Sequence, residues 1–353
     1  MGSTPSLAGL PEGTVVEIYK SDLDFPVDMI RVPGSRKIFF TEKMTGKIRV
    51  LRGRRLLRRP CANLRVYNDR ERGAAGITLD PDYIENRYLY VYFQSRAHDD
   101  NRVVRFTVAG NLCTERTVII EGIEQAPIHN GGQLEFLDGY LFVSTGDAEA
   151  PASAQDTTGL SGKILRIYPD GSIPEDNPFP EEPLLPRNPV WSYGHRNPYG
   201  LAVRPETSQL FESENGPTCD DEVNFIQKGA NYGWGIGDTG QEDYPRTYCD
   251  ADAPQPTEPL WDWGEGKEDT IAPTDMVWYR GPVDAADDRL LMGDFKGGDL
   301  HAFRINREGE ARRQKILYDG ARPIFDVARG PGGWVYLLRP NAILRIVEAP
   351  SAP

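Results

Sequence analysis

The chain has 353 residues, of which 40 are Lys or Arg and 53 are Asp or Glu, for a formal charge of −13 at pH 7. An acidic balance without a Lys/Arg-rich face excludes a nucleic-acid binder, whose footprint is basic, and no apolar run approaches the ~20 residues that span a bilayer. The length suits two average domains or one large all-β unit.

Taken in chain order, Met1 to Gly9 reads as a start codon and short scar joined to a mature N-terminus, because no charged-then-apolar leader opens the chain. Residues 1–24 are expected to form an N-terminal extension that closes the last structural unit, and residues 25–348 a single domain. Within that domain a pattern recurs: an apolar and aromatic strand, a turn, then a strand of alternating basic and apolar residues. The copies are "RKIFFTEKMTGKIRVL", "RYLYVYFQS" with "NRVVRFTV", "GYLFVSTGD" with "SGKILRIYPDG", "SQLFESENG" with "DEVNFI", "RLLMGDFKGGDLHAFRIN" and "GWVYLLRPNAILRIV". Period-2 alternation between Gly, Asp and Pro turns is the strand signature. Repeats of about 40–50 residues built this way are propeller blades. The fold class is therefore all-β, a six-bladed β-propeller with long rim loops, and a pair of β-sandwiches is the competing architecture.

The basic run "RGRRLLRRP", Arg52 to Pro60, fits a solvated edge hairpin or an anion-attracting patch. Two insertions, residues 173–189 and 235–273, are too long for plain turns and are expected on one rim over the central channel. Of the four cysteines, none lies in a C-x-x-C spacing, so zinc is not indicated. Cys219 and Cys249 bracket one Gly/Asp-rich loop; pairing them leaves Cys61 with Cys113. Two disulfides would make this a periplasmic or secreted protein; four unlinked thiols in the cytosol is the alternative.

His129, one of four histidines, stands in "APIHNGGQL" against an Asn-Gly-Gly turn, shortly before "STGDA" with Asp147. A neutral imidazole is well poised to take a proton near neutral pH, although a histidine satisfied within a turn would look the same. Three further stretches stand out: "LSGKILRIYPDGSIPEDNPF", "YGHRNPYGLAV" and "SENGPTCDDEVNFIQKGANYGWG". Read bare, Arg196-Asn197-Pro198 is a charged turn, and Gly216-Pro217 beside "CDDE" is either a solvated acidic loop or a source of hard oxygen ligands. Trp191, Tyr193, Tyr199, Trp234, Trp261, Trp263, Trp278 and Tyr279 fall in or near the insertions. They suit either a ligand-binding rim or packing between blades.

At these motifs the chain resembles the soluble quinoprotein glucose/sorbosone dehydrogenases, or aldose sugar dehydrogenases. "GSIPEDNP", "GHRNP" and the pattern from Gly216 to Trp234 match almost letter for letter. The resemblance implies a propeller using pyrroloquinoline quinone (PQQ) and Ca²⁺ to oxidise the C1 hydroxyl of a sugar to a lactone with an external electron acceptor. It implies His129 as general base with Asp147 beside it, and Arg196, Asn197 and Lys296 as cofactor contacts. Gly216 and Pro217 would give carbonyls to the calcium at the cofactor, while Glu222 and the Tyr232 carbonyl would serve a second calcium. Some relatives dimerise, so a monomer or a homodimer fits.

The likeness breaks at the cofactor contacts. Where the family carries R-x-R-D-V, this chain has "PIFDV", with Pro323 and Phe325 in place of both arginines and Arg322 one residue away as a substitute. Tyr199, Glu71 and Gln133 stand where Gln, Gln and Arg are usual. Two other readings compete: a quinone-free enzyme using His129 for proton transfer, and a non-catalytic propeller that binds carbohydrate or protein.

Overall fold

The computed structural model describes residues 10, 12–179, 187–238, 256–263 and 270–349. Almost all regular structure is antiparallel strand, in six sheets of four or five strands each. Blade 1 runs Pro26–Arg31, Lys37–Glu42, Lys47–Arg52 and Arg55–Leu56, with Ala62–Asn63 also on the third strand. Blade 2 is Ala74–Leu79, Tyr88–Ser95, Asp100–Ala109 and Leu112–Ile123, and blade 3 is Leu134–Leu137, Tyr140–Thr145, Lys163–Ile167 and Val190–Tyr193. Blade 4 comprises Pro198–Arg204, Gln209–Glu214, Asp221–Phe225 and Trp261–Trp263, and blade 5 Pro273–Tyr279, Arg289–Asp294, Asp299–Ile305 and Ala311–Asp319. Blade 6 takes Asp326–Arg329, Val335–Arg339 and Ala342–Glu348 from the end of the chain and Thr14–Ser21 from its beginning.

The innermost strands of neighbouring blades pack side by side all round, so the sheets close into a ring. A propeller of six blades results. Each pair of adjacent blades buries its own apolar cluster: Phe39, Ile48 and Leu89 between blades 1 and 2, for example, and Phe211, Met276 and Phe303 between blades 4 and 5. The alternating "RYLYVYFQS"-type repeats are the second and third strands of each blade. Their buried residues face the two flanking clusters, which is why large side chains recur at every position.

Thr14–Ser21 pairs antiparallel with Ala342–Glu348, from Thr14 opposite Glu348 to Ser21 opposite Ala342. Tyr19 enters the cluster between blades 6 and 1 and meets the Tyr336 ring edge-on at 4.9 Å. The ring is thus latched by its own N-terminal segment. Cys61 and Cys113 form a disulfide that joins blade 1 to the outer strand of blade 2. Cys219 is also disulfide-bonded; its expected partner, Cys249, lies outside the described residues. The basic run is the edge hairpin of blade 1.

Candidate active site

All six innermost strands begin at one face of the ring, and their first residues line a cavity of about 300 Å³ at the mouth of the channel. Phe25 and Asp28 come from blade 1, Ala74–Gly76 from blade 2, Asn130–Gln133 from the approach to blade 3, Asn197 and Tyr199 from blade 4, Ala272–Asp275 from blade 5 and Phe325 from blade 6. One wall is aromatic: the Phe325 ring lies 5.0 Å from Phe25 and 5.8 Å from Phe295, centre to centre. Among the described residues, the lining cations are Lys43 and Arg70. Such a space, apolar with a few aimed polar groups, is what a small flat or cyclic ligand requires.

His129 sits at the rim, next to the lining residues Asn130 and Gly131. Its backbone is left-handed at φ 58°, and its N–H donates to Glu71 Oε2 at 2.8 Å. Its carbonyl accepts from Ala148. A Cβ at Gly146 would come within 2.1 Å of that carbonyl, so the glycine of "STGDA" is what lets the two segments touch. The contact places Asp147 Oδ1 2.9 Å from His129 Nδ1. Asp147 is fully buried; its Oδ1 also accepts from the Glu149 N–H and its Oδ2 from Trp234 Nε1. Surrounded by donors, the carboxylate acts as acceptor towards His129 as well. Nδ1 therefore carries a hydrogen, and in the neutral ring Nε2 is the nitrogen with the lone pair.

Arg196 and Asn197 sit beside this dyad. The Asp147 N–H donates to the Arg196 carbonyl at 2.7 Å, and Asn197 Oδ1 accepts from Gly131 at 3.1 Å. Asn197 lines the cavity. Arg196 does not: its Nη1 donates to the carbonyls of Asn215 and Gly216, and its guanidinium lies over Trp234 at 5.2 Å. Gly216, an expected calcium ligand, is therefore engaged through its carbonyl by Arg196 and through its N–H by Asp221. Pro217 is exposed.

Below them, Glu212 and Glu214 face Asn224 and Glu222 across the register of blade 4. His195 closes the group from blade 3, bonding Glu214 at 3.1 Å and stacking on Tyr232 at 4.7 Å. Burial lowers its pKa to about 3 and keeps it neutral. Glu212 Oε1 and Asn224 Oδ1 are buried acceptors without a donor. Orphaned oxygens beside Glu222 suit a hard cation, for which oxygen is the preferred ligand.

A second buried acidic group, which sequence reasoning missed, lies on the cavity floor. Asp28, Asp275 and Asp326 bring carboxylate oxygens within 4.8 Å of one another. Each stitches inner strands together: Asp28 accepts from Ile77 of blade 2, Asp326 from Met29 of blade 1, and Asp275 from Gln133 of blade 3 and Leu201 of blade 4. Burial pushes Asp28 up to about 7. Burial first, then the neighbouring carboxylates, raises Asp275 and Asp326 well above the ordinary range. The recurring inner-strand signal, "VDM", "TDM" and "FDV", marks all three.

These shifts have a sign. A carboxyl raised on folding contributes stability that is complete below its unfolded value of 3.8 and is lost as pH rises through about 7. Asp28→Asn keeps an acceptor for Ile77 but does not titrate. Thermal melts from pH 5 to 8 should show the variant losing less Tm than the wild type, by roughly 2–4 °C or more. Parallel slopes would refute this account of the cluster.

The remaining expected site residues lie apart from the cavity. Lys296 is exposed and donates to Thr270. Arg322 is exposed and off the lining, so it does not take the place of the absent arginines. Arg280, another substitute that could be imagined, pairs with Glu206 and Asp288 instead. Of the aromatic residues, Tyr199 lines the cavity and Trp234 supports Asp147. Trp261, Trp263 and Trp278 pack between blades 4 and 5, Tyr279 between 5 and 6 and Trp191 between 3 and 4. Parts of both long insertions lie outside the described residues.

The six-bladed ring agrees with what the comparisons with known proteins show. The family model for glucose/sorbosone dehydrogenases matches residues 23–347, and the chain belongs to that family. Its members are oxidoreductases acting on CH–OH groups, the PQQ-type glucose and aldose sugar dehydrogenases. Aldose sugar dehydrogenase YliI of Escherichia coli is 29% identical over 347 residues, covering 94% of this chain and 92% of that protein. The apo-form structure of the soluble aldose sugar dehydrogenase from Escherichia coli superposes with a TM-score of 0.80 at 26% identity, covering 95% of this chain and 100% of that one. The PQQ-bound aldose sugar dehydrogenase of Streptomyces coelicolor gives a TM-score of 0.75 at 26% identity, covering 96% and 99%.

Proposed function

We propose that this protein is a PQQ- and calcium-dependent aldose sugar dehydrogenase that oxidises the anomeric alcohol of a sugar to its lactone. The observation that carries the reading is the His129–Asp147 pair, adjacent in the chain to the cavity-lining Asn130. A flat tricarboxylate needs volume, a flat apolar wall and hydrogen-bond donors. The cavity has about 300 Å³, the Phe25–Phe325–Phe295 wall, Asn197, two cations and a buried, unpartnered donor, Gln94 Nε2. Asp28 and Asp275, pushed up by burial, repel an anion less than ordinary carboxylates would. The residues present therefore fit the cofactor, with Asn197, Lys43 and Arg70 around it, and the oxygens of Glu212, Glu222 and Asn224 fit a calcium ion.

When bound, PQQ supplies the acceptor for the hydride that leaves the sugar C1. The protein does the rest. His129 Nε2 takes the proton of the C1 hydroxyl, and Asp147 fixes the ring and stabilises the imidazolium that forms. Tyr199 and the phenylalanine wall give the sugar and the quinone apolar faces to lie against. Turnover requires an external electron acceptor. A disulfide between Cys61 and Cys113 supports a periplasmic or secreted location.

Titration with PQQ in excess Ca²⁺, followed by dye reduction with a panel of aldoses, tests the reading. Saturable, PQQ-dependent reduction is expected. A folded protein that binds no PQQ at roughly tens of micromolar, a free energy of only about −6 kcal/mol, would remove the assignment.

A further inference from the structure

We propose that Lys43 and Gln94 together form the anion seat of the cavity, receiving a carboxylate of the bound cofactor; this rests on the function proposed above. Lys43 follows the second strand of blade 1 and is half-buried, and Gln94, near the end of the second strand of blade 2, is 1% exposed. Both line the cavity. They flank Gly73: its N–H donates to Gln94 Oε1 at 2.8 Å, while a Cβ there would fall 2.6 Å from the Lys43 Cγ. The Lys43 carbonyl also accepts from Ala74 at 3.0 Å, which fixes the lysine backbone to blade 2.

What these two side chains lack is an acceptor. Gln94 spends its oxygen on Gly73 and leaves Nε2 buried with no partner, a cost of about 1–3 kcal/mol unless a ligand supplies the missing acceptor. The Lys43 ammonium uses one donor on the Arg70 carbonyl and lies 5.3 Å over the Phe25 ring, with two N–H groups remaining. Phe25 in turn touches Phe325. A lysine on the phenylalanine wall and an orphaned amide beside it describe a receptor for an anionic group on a flat ring. The cation has moved from blade 6, where Pro323 and Phe325 carry none, to the junction of blades 1 and 2. Burial disfavours the ammonium, and Glu71 and Asp69 nearby favour it.

The test is direct titration of PQQ in excess Ca²⁺, read by tryptophan fluorescence and calorimetry, with Lys43→Gln, Lys43→Arg and the double variant Lys43→Gln/Phe325→Arg. Losing one charge-assisted contact predicts a Kd about 10–100-fold weaker in Lys43→Gln, with a weaker salt dependence than the wild type. Lys43→Arg should stay within a few-fold, and Phe325→Arg should restore part of the loss by returning a cation to blade 6. Wild-type binding with an unchanged Kd in folded Lys43→Gln overturns this seat and leaves the function standing. No binding by folded wild type overturns both.

Discussion

Replacing His129 by Ala should lower sugar oxidation by roughly 10²–10⁴-fold, the usual worth of a positioned general base, while the Kd for PQQ changes little. The expectation comes from the hydrogen bonds rather than from the histidine alone. Asp147 has no solvent exposure, and each of its other partners, Glu149 N–H and Trp234 Nε1, is a donor. That arrangement fixes which imidazole nitrogen is free. Asp147→Asn is the sharper variant: its amide must turn an N–H either towards Trp234 Nε1 or towards His129 and Glu149. The first leaves two donors facing each other, and the second moves the proton to Nε2 and removes the base. A loss of at least about tenfold in kcat, with KM little changed, is expected. Steady-state kinetics on the loaded enzyme checks both variants; a His129→Ala protein keeping most of its rate would place the base elsewhere.

The second large effect concerns the latch. Deleting residues through Ser21 removes the fourth strand of blade 6, takes Tyr19 out of the blade 6–1 core and leaves Ala342–Glu348 as a bare edge. Burying one large apolar side chain is worth about 1.5–3 kcal/mol. Tyr19 is lost here with the partly buried Leu10 and Val16, together with the strand pairing and the Glu17–Arg345 ion pair. Against a total stability of about 5–15 kcal/mol, a shortened chain should fail to fold cooperatively or should aggregate through the open edge. Tyr19→Ala, the milder form, should cost about 3–5 kcal/mol. Denaturant unfolding measures both, and a truncated protein with unchanged stability would show that blade 6 holds with three strands.

These two cases show what was readable in the chain. The middle strands of each blade were legible because "KIFFTE", "YLYVYFQS" and "AILRIV" are short runs rich in aromatic and β-branched residues between turns. The innermost strands were not. Pro26–Arg31 and Pro273–Tyr279 each open with a proline and carry a buried aspartate, Asp28 or Asp275, which interrupts the apolar run that marks the middle strands, and they supply the cavity. His129, Asp147 and Asn197 were singled out because each lies in a compact motif. Lys43, Gln94 and the three buried aspartates were missed because nothing local distinguishes them; only ring closure brings their blades together. Tryptophans near the insertions were ambiguous for the opposite reason, since a sequence cannot say which side of a blade an aromatic residue faces.

Soaking crystals with PQQ, Ca²⁺ and a slowly oxidised sugar would test the central claim most directly. The account predicts the ring in the channel mouth, one carboxylate at Lys43 Nζ, a flat face against Phe325 and the sugar C1 hydroxyl within hydrogen-bond reach of His129 Nε2. Solvent filling the cavity at saturating cofactor, or a ring bound away from His129, would contradict it.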